Sequence, residues 1–257
     1  MCYLAKMRRI IVVTVVIFVV ALISIRGWEH TLTAIPRINV ECPKGTDAVL
    51  VLGQSHASNT GPKRHISWSK SRSFHVGDCH YLRDPMPGTA DKGGSIWPQF
   101  ADHLGKPVVI ANMAISGSSI SQWTATDKIK EVGDTLQSMS DAGYPNPLIV
   151  FMQGETDAAK GTDAETYLTE LRKLHSAAPD SRWLIVRESI CYEKQAKWKA
   201  LDQARDALAA DHPNVTVGPD LDHLPLALRQ KDKCHLTAEG QEVLGQQIAE
   251  AATPILR

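Results

Sequence analysis

Four short apolar runs, spaced along the chain and separated by helical patterns, restrict the fold most. They are residues 48–52 (AVLVL), 108–113 (VVIANM), 148–152 (LIVFM) and 183–186 (WLIV). A strand wetted on one face alternates apolar with polar, whereas a nearly continuous run marks a strand covered on both faces, the habit of parallel sheets. Residues 215–217 (VTV) supply a fifth, shorter run. Between the runs, helices are expected over 96–104, 129–142, 164–178 and 194–210. A last helix over 238–255 puts Leu244, Ile248, Ala251 and Ile255 on one face, and Thr237 stands where an N-cap belongs. Strands alternating with helices imply βαβ units and an α/β three-layer sandwich around a mostly parallel sheet. In such sheets ligands bind beyond the carboxyl ends of the strands, so the chemistry is sought where strands run into loops.

The N-terminus sets the compartment. Residues 10–25 are apolar except for Thr14 and Ser24, and Lys6, Arg8 and Arg9 precede them. As a helix this run covers roughly 24 Å, a little less than the hydrocarbon core, and Arg26 and Trp28 can extend its reach at the interface. An uncleaved signal-anchor over 1–26 is expected, because the run ends in Ile-Ser-Ile-Arg without small residues placed for a peptidase; a cleaved signal peptide is the alternative. With the positive charges retained inside, both readings put the rest of the chain outside the cytoplasm, inner-membrane anchored and periplasmic, or secreted. Residues 27–46 carry Pro36 and Pro43 and no sustained period, as a linker would, which leaves 47–257 as one domain. Lys+Arg and Asp+Glu both number 28, so no basic field exists to draw nucleic acid.

Cysteine usage agrees with an oxidising space. Beyond Cys2, the four residues Cys42, Cys79, Cys191 and Cys234 form an even set. Cys234 directly precedes a candidate catalytic histidine, and Cys191 follows the run 183–186, whose carboxyl end should face the same cleft. Cys191–Cys234 is therefore the expected bridge, leaving Cys42 with Cys79; buried free thiols are the alternative. No CxxC pair occurs, and adjacent Cys79 and His80 suit a tetrahedral metal poorly, so no metal is expected.

Four segments at expected strand ends carry candidate chemistry. Residues 53–59 (GQSHASN) put Ser55 two positions after Gly53, on a turn that can aim a hydroxyl into a cleft. The segment after the second run holds Gly117, which offers a bare backbone N–H to a closely approaching ligand. After the third run, QGETD gathers Gln153, Glu155 and Asp157 around a glycine; the Gln153 amide could donate to a developing oxyanion. Ahead of the last helix, Asp232 stands three residues before His235. One short turn at that spacing brings the carboxylate to one ring nitrogen, fixing the tautomer and stabilising the imidazolium.

Taken together and in this order, GQSHASN, the Gly117 block, QGETD and DKCH resemble the SGNH hydrolases, in particular sialate O-acetylesterase-like and acetylxylan-esterase-like members. The run YLRDPMPG at 81–88 and GGSIWP at 93–98 also look like that subgroup. The resemblance implies the flavodoxin-like sandwich, Ser55 as nucleophile, and Asp232 and His235 as acid and base. It also implies an oxyanion hole of the Ser55 N–H, the Gly117 N–H and the Gln153 amide, with Gly53, Gln54, Glu155 and Asp157 supporting the site. Members usually read GQSN, whereas His56 follows the serine here, and no catalytic role is assigned to it. The expected function is a serine esterase that removes O-acetyl groups from an extracytoplasmic carbohydrate through an acyl-enzyme, without a cofactor. A carbohydrate O-acetyltransferase using the same triad, or a non-catalytic carbohydrate-binding protein on the same fold, is the alternative.

Overall fold

The computed structural model describes residues 37–256. The expected membrane segment therefore lies outside the described residues; among those described, no helix is long and apolar enough to cross a membrane. In chain order the elements are β1 (Asn39–Val40), β2 (Asp47–Gly53), β3 (Arg72–His75), β4 (Asp78–Tyr81), α1 (Trp97–Leu104), β5 (Val108–Asn112), α2 (Ile120–Trp123) and α3 (Thr126–Asp141). They continue with β6 (Leu148–Met152), α4 (Glu155–Lys160), α5 (Ala164–His175), β7 (Trp183–Arg187), α6 (Lys199–Asp211), β8 (Val215–Asp220) and α7 (Ala238–Ala252).

The strands form one sheet in the order β1-β4-β3-β5-β2-β6-β7-β8. β2 lies between β5 and β6 and runs parallel to both, and β7 and β8 continue the parallel set. The five apolar runs are these five strands. Alternate residues of β2 divide between two cores, as the period of a strand requires. Val49 and Val51 pack with α1 and α7, while Leu50 and Leu52 pack with residues of α3, α5 and α6 on the other face. Helices on both faces make the three layers of an α/β sandwich.

An antiparallel edge stands beside the parallel strands. β3 pairs parallel with β5 but antiparallel with β4, and β4 pairs antiparallel with β1. Asn39–Val40, inside the stretch expected as linker, thus adds a strand to the sheet, and Cys42 is bonded to Cys79 of β4. A hairpin turn with Val76 and Gly77 at positive φ joins β3 to β4. β3 and β4 are four residues each, RSFH and DCHY, and contain no apolar run to announce them.

The chain leaves β5 on one side of β2 and re-enters the sheet at β6 on the other. The carboxyl ends of β5, β2 and β6 therefore open around one crevice, at the point where strand order reverses.

Candidate active site

Gly53 ends β2 at φ 136°, and a Cβ there would lie 1.9 Å from the Met152 carbonyl oxygen. Only glycine lets the turn come this close to the end of β6. Gln54 N–H then donates to Met152 O at 2.8 Å, and Ser55 opens a single 3₁₀ turn. The Gln54 side chain locks the turn from the other side: its Oε1 accepts from Gln153 Nε2 (3.0 Å) and from the Thr156 N–H (3.2 Å).

Ser55 lines a cleft of about 590 Å³ shared with Gln54, Ser116, Gly117, Thr156, Lys160, Tyr192 and His235. Among the described residues no acceptor engages the backbone N–H of Ser55 or of Gly117. Both remain available to an oxyanion. Gly117 has φ 73°, the left-handed region in which a side chain is strained.

The base loop is built from a local turn. Asp232 Oδ1 accepts the backbone N–H groups of Cys234 (3.0 Å) and His235 (3.1 Å), while Oδ2 meets His235 Nδ1 at 2.7 Å. Lys233, between them, has φ 58°. With Nδ1 on the carboxylate, Nε2 is left to take a proton in the cleft. Burial pushes the Asp232 carboxyl up, but the hydrogen bonds from His235 and Cys234 outweigh it and hold it below its ordinary value. Asp232 stays ionised beside the ring.

The loop is tied to its neighbours at two places. Cys234 is bonded to Cys191, which follows β7. Buried Arg229 spans the same two loops, donating to Ile190 O (3.2 Å) and Cys234 O (3.0 Å).

Gln153 departs from its expected role. It is fully buried, and its Nε2 donates to Gln54 Oε1, to Ser118 O (2.6 Å) and to Asp157 Oδ2 (2.9 Å). Two amide hydrogens directed at three protein acceptors leave none for an oxyanion, so Gln153 braces the site instead. It joins the nucleophile turn to the Gly117 block. Asp157 does similar work: its carboxylate accepts the Ile120 N–H at the start of α2 (3.0 Å), and burial raises its pKa. Glu155 starts α4, bonds His56 and also lines the cleft.

Beneath these residues lies a buried layer that joins His56 and Glu155 to Glu188, a residue the sequence did not single out. His56, Glu155 and Glu188 are all buried, and they are the set of His, Cys, Asp and Glu among the described residues whose ligating atoms could hold a metal. Nδ1 of His56 is in direct hydrogen bond with Glu155 Oε1. Fully buried Arg205 sits below, with Nη2 donating to Gln153 O and Glu188 O, both at 2.7 Å. Its Nη1 pairs with Asp202 Oδ1 at 3.1 Å, and its charge also acts on the Glu188 carboxylate. Glu188 was legible in principle, as a carboxylate directly after the buried strand β7.

The family profile described as carbohydrate esterase, sialic acid-specific acetylesterase, matches residues 94–254. The chain belongs to this family. It is accordingly a carboxylic ester hydrolase. The match takes in Gly117, Gln153, Asp232 and His235 but begins after the Ser55 turn. No curated protein matches the chain. Among solved structures, a protein from Arabidopsis thaliana superposes at TM-score 0.64 with 18% identity, covering 82% of this chain and 100% of its own. NanS superposes at TM-score 0.57 with 14% identity, covering 84% and 99%, and the family 3 carbohydrate esterase of Clostridium thermocellum at 0.55 with 12%, covering 82% and 98%. At these identities the likeness is one of fold, and the fold is that of the SGNH esterases.

Proposed function

We propose that this carbohydrate esterase removes O-acetyl groups from a glycan outside the cytoplasm, with Ser55 as nucleophile and His235 as base. The observation that carries the reading is that the Asp232-bound ring of His235 and the Ser55 turn line one cleft, although 180 residues separate them in sequence. His235 Nε2 takes the Ser55 proton as Oγ attacks the acetyl carbonyl. The N–H groups of Ser55 and Gly117 receive the developing oxyanion. Collapse expels the sugar alkoxide, which takes its proton from His235. Water, deprotonated by the same ring, then frees acetate and restores the serine.

The cleft supplies features suited to a sugar. Tyr192 is 62% exposed beside Cys191 and offers a ring face to the apolar side of a pyranose. Lys160, held by Ser119 Oγ at 3.1 Å, gives the cleft wall a positive charge. The location outside the cytoplasm is supported by the bonded pairs Cys42–Cys79 and Cys191–Cys234, which persist in oxidising compartments, and by the apolar run 10–25.

Acetate release across a panel of O-acetylated glycans tests the reading. Turnover is expected on one or more of them, and Ser55→Ala and His235→Ala should each abolish it while the fold survives. Near wild-type turnover in Ser55→Ala would overturn the serine mechanism. Acetyl transfer to a second sugar in place of acetate release would replace hydrolysis with the transferase alternative.

A further inference from the structure

His56, which immediately follows the proposed nucleophile, is 3% exposed and has both ring nitrogens engaged. Nε2 lies 3.0 Å from the Cys234 carbonyl oxygen. A carbonyl only accepts, so Nε2 carries a hydrogen. Nδ1 bonds Glu155 Oε1 directly and lies 3.4 Å from Glu188 Oε2. With carboxylates on that side, Nδ1 carries a hydrogen too, and the ring is an imidazolium.

The surroundings fit that charge. From α6, Arg205 supplies the second cation, its guanidinium near the ring of Tyr167 on α5. From the base loop come Cys234 O, shared with Arg229, and the His235 ring, whose centroid is 5.8 Å from that of His56 at a tilt of 50°. Burial alone would push the His56 pKa down, but attraction and hydrogen bonding, to Glu155 first and then Glu188, raise it to about 10. Burial, with Glu155 as a like charge beside it, raises Glu188 to about 7 against the pull of His56 and Arg205.

We propose that His56 is a positioning residue whose imidazolium ties the nucleophile turn to Glu155 on one side and to the Cys234 carbonyl on the other, setting the Ser55–His235 distance. Every link is short and buried. Ser55 and His56 are neighbours in the chain, as are Cys234 and His235, so one ring spans the gap between nucleophile and base. His56 does not itself act as an acid or base, because neither nitrogen is free to meet substrate. The inference rests on the reading of Ser55 and His235 given above.

Two measurements on the full chain test it. Histidine ¹⁵N spectra of the wild-type protein at pH 8 should show one ring with both nitrogens protonated; the absence of any imidazolium at that pH overturns the proposal. In parallel, active serines are titrated with a phosphonate probe, and kcat per titrated serine is measured on an acetyl ester. His56→Ala should lower it about tenfold or more with KM nearly unchanged, the pattern of a misplaced catalytic pair. His56→Asn, whose amide supplies one of the two donors, should fall between Ala and wild type. If His56→Ala fails to fold because two carboxylates lose their cation, His56→Ala/Glu188→Gln removes one of those charges and is read in the same way. Wild-type kcat per titrated serine in the alanine variant refutes positioning, as does a loss confined to KM. Mapping the probe to Ser55 keeps the outcomes separate: with Ser55 labelled, a negative result concerns His56 alone.

Discussion

The two disulfides allow stability and catalysis to be separated within one molecule. Cys191 and Cys234 are 43 residues apart, and Cys42 and Cys79 are 37 apart. In the chain-entropy model, loops of these lengths give nearly the same stabilisation, about 4 kcal/mol each at 25 °C. Their surroundings differ. Cys234 adjoins His235 and Cys191 lines the cleft, whereas Cys42–Cys79 fastens β4 at the far edge of the sheet. Cys191→Ala/Cys234→Ala and Cys42→Ala/Cys79→Ala should therefore lose similar unfolding free energy in urea, each about 4 kcal/mol less any strain released. Only the first pair should lose turnover. Arg229 still bridges Ile190 O and Cys234 O after that bridge is cut, so the loops shift rather than separate. A displacement of about 1 Å can cost on the order of a hundredfold, and a partly restrained loop should cost nearer tenfold in kcat. The assays are urea unfolding followed by circular dichroism, and kcat on an acetyl ester per folded molecule. Equal kcat in the two double variants would refute the claim that the Cys191–Cys234 bridge holds the base loop in register.

Two further outcomes follow from the site. Asp232→Asn should retain more turnover than Ser55→Ala or His235→Ala, because Asp232 orients and stabilises the ring without exchanging a proton with substrate, and an asparagine Oδ1 can still accept the Cys234 and His235 N–H groups; activity as low as that of His235→Ala would give Asp232 a larger part. Glu188, raised from 4.5 to about 7 in the fold, binds its proton more tightly folded than unfolded, so its contribution to stability is greatest below pH 4.5 and is lost as pH rises through 7. Wild type minus Glu188→Gln should therefore show unfolding free energy falling across that window, by no more than about 1.4 kcal/mol per pH unit for one proton; a difference independent of pH would refute it.

Five of the six parallel strands were legible because each writes itself as a local apolar run, and LIVFM at 148–152 coincides with β6 residue for residue. The Asp232–His235 turn was legible for the same reason: its partners are three residues apart and meet through one turn of backbone. The hairpin β3–β4 was not, since its buried residues Ser73, Phe74, Cys79 and His80 are mixed in polarity and their burial comes from pairing in the sheet, β3 beside β5 and β4 between β3 and β1. Gln153 shows the limit most plainly. Its place at a strand end was correctly read, but where its two amide hydrogens point depends on Gln54 and Ser118, which reach it from two other strand ends. His56 meets Glu155 and Glu188 across 99 and 132 residues of chain. Local periodicity decides which segments enter the sheet and which face they bury. The partner of a buried polar side chain is decided by the order and register of the strands, and those exist only once the sheet has assembled.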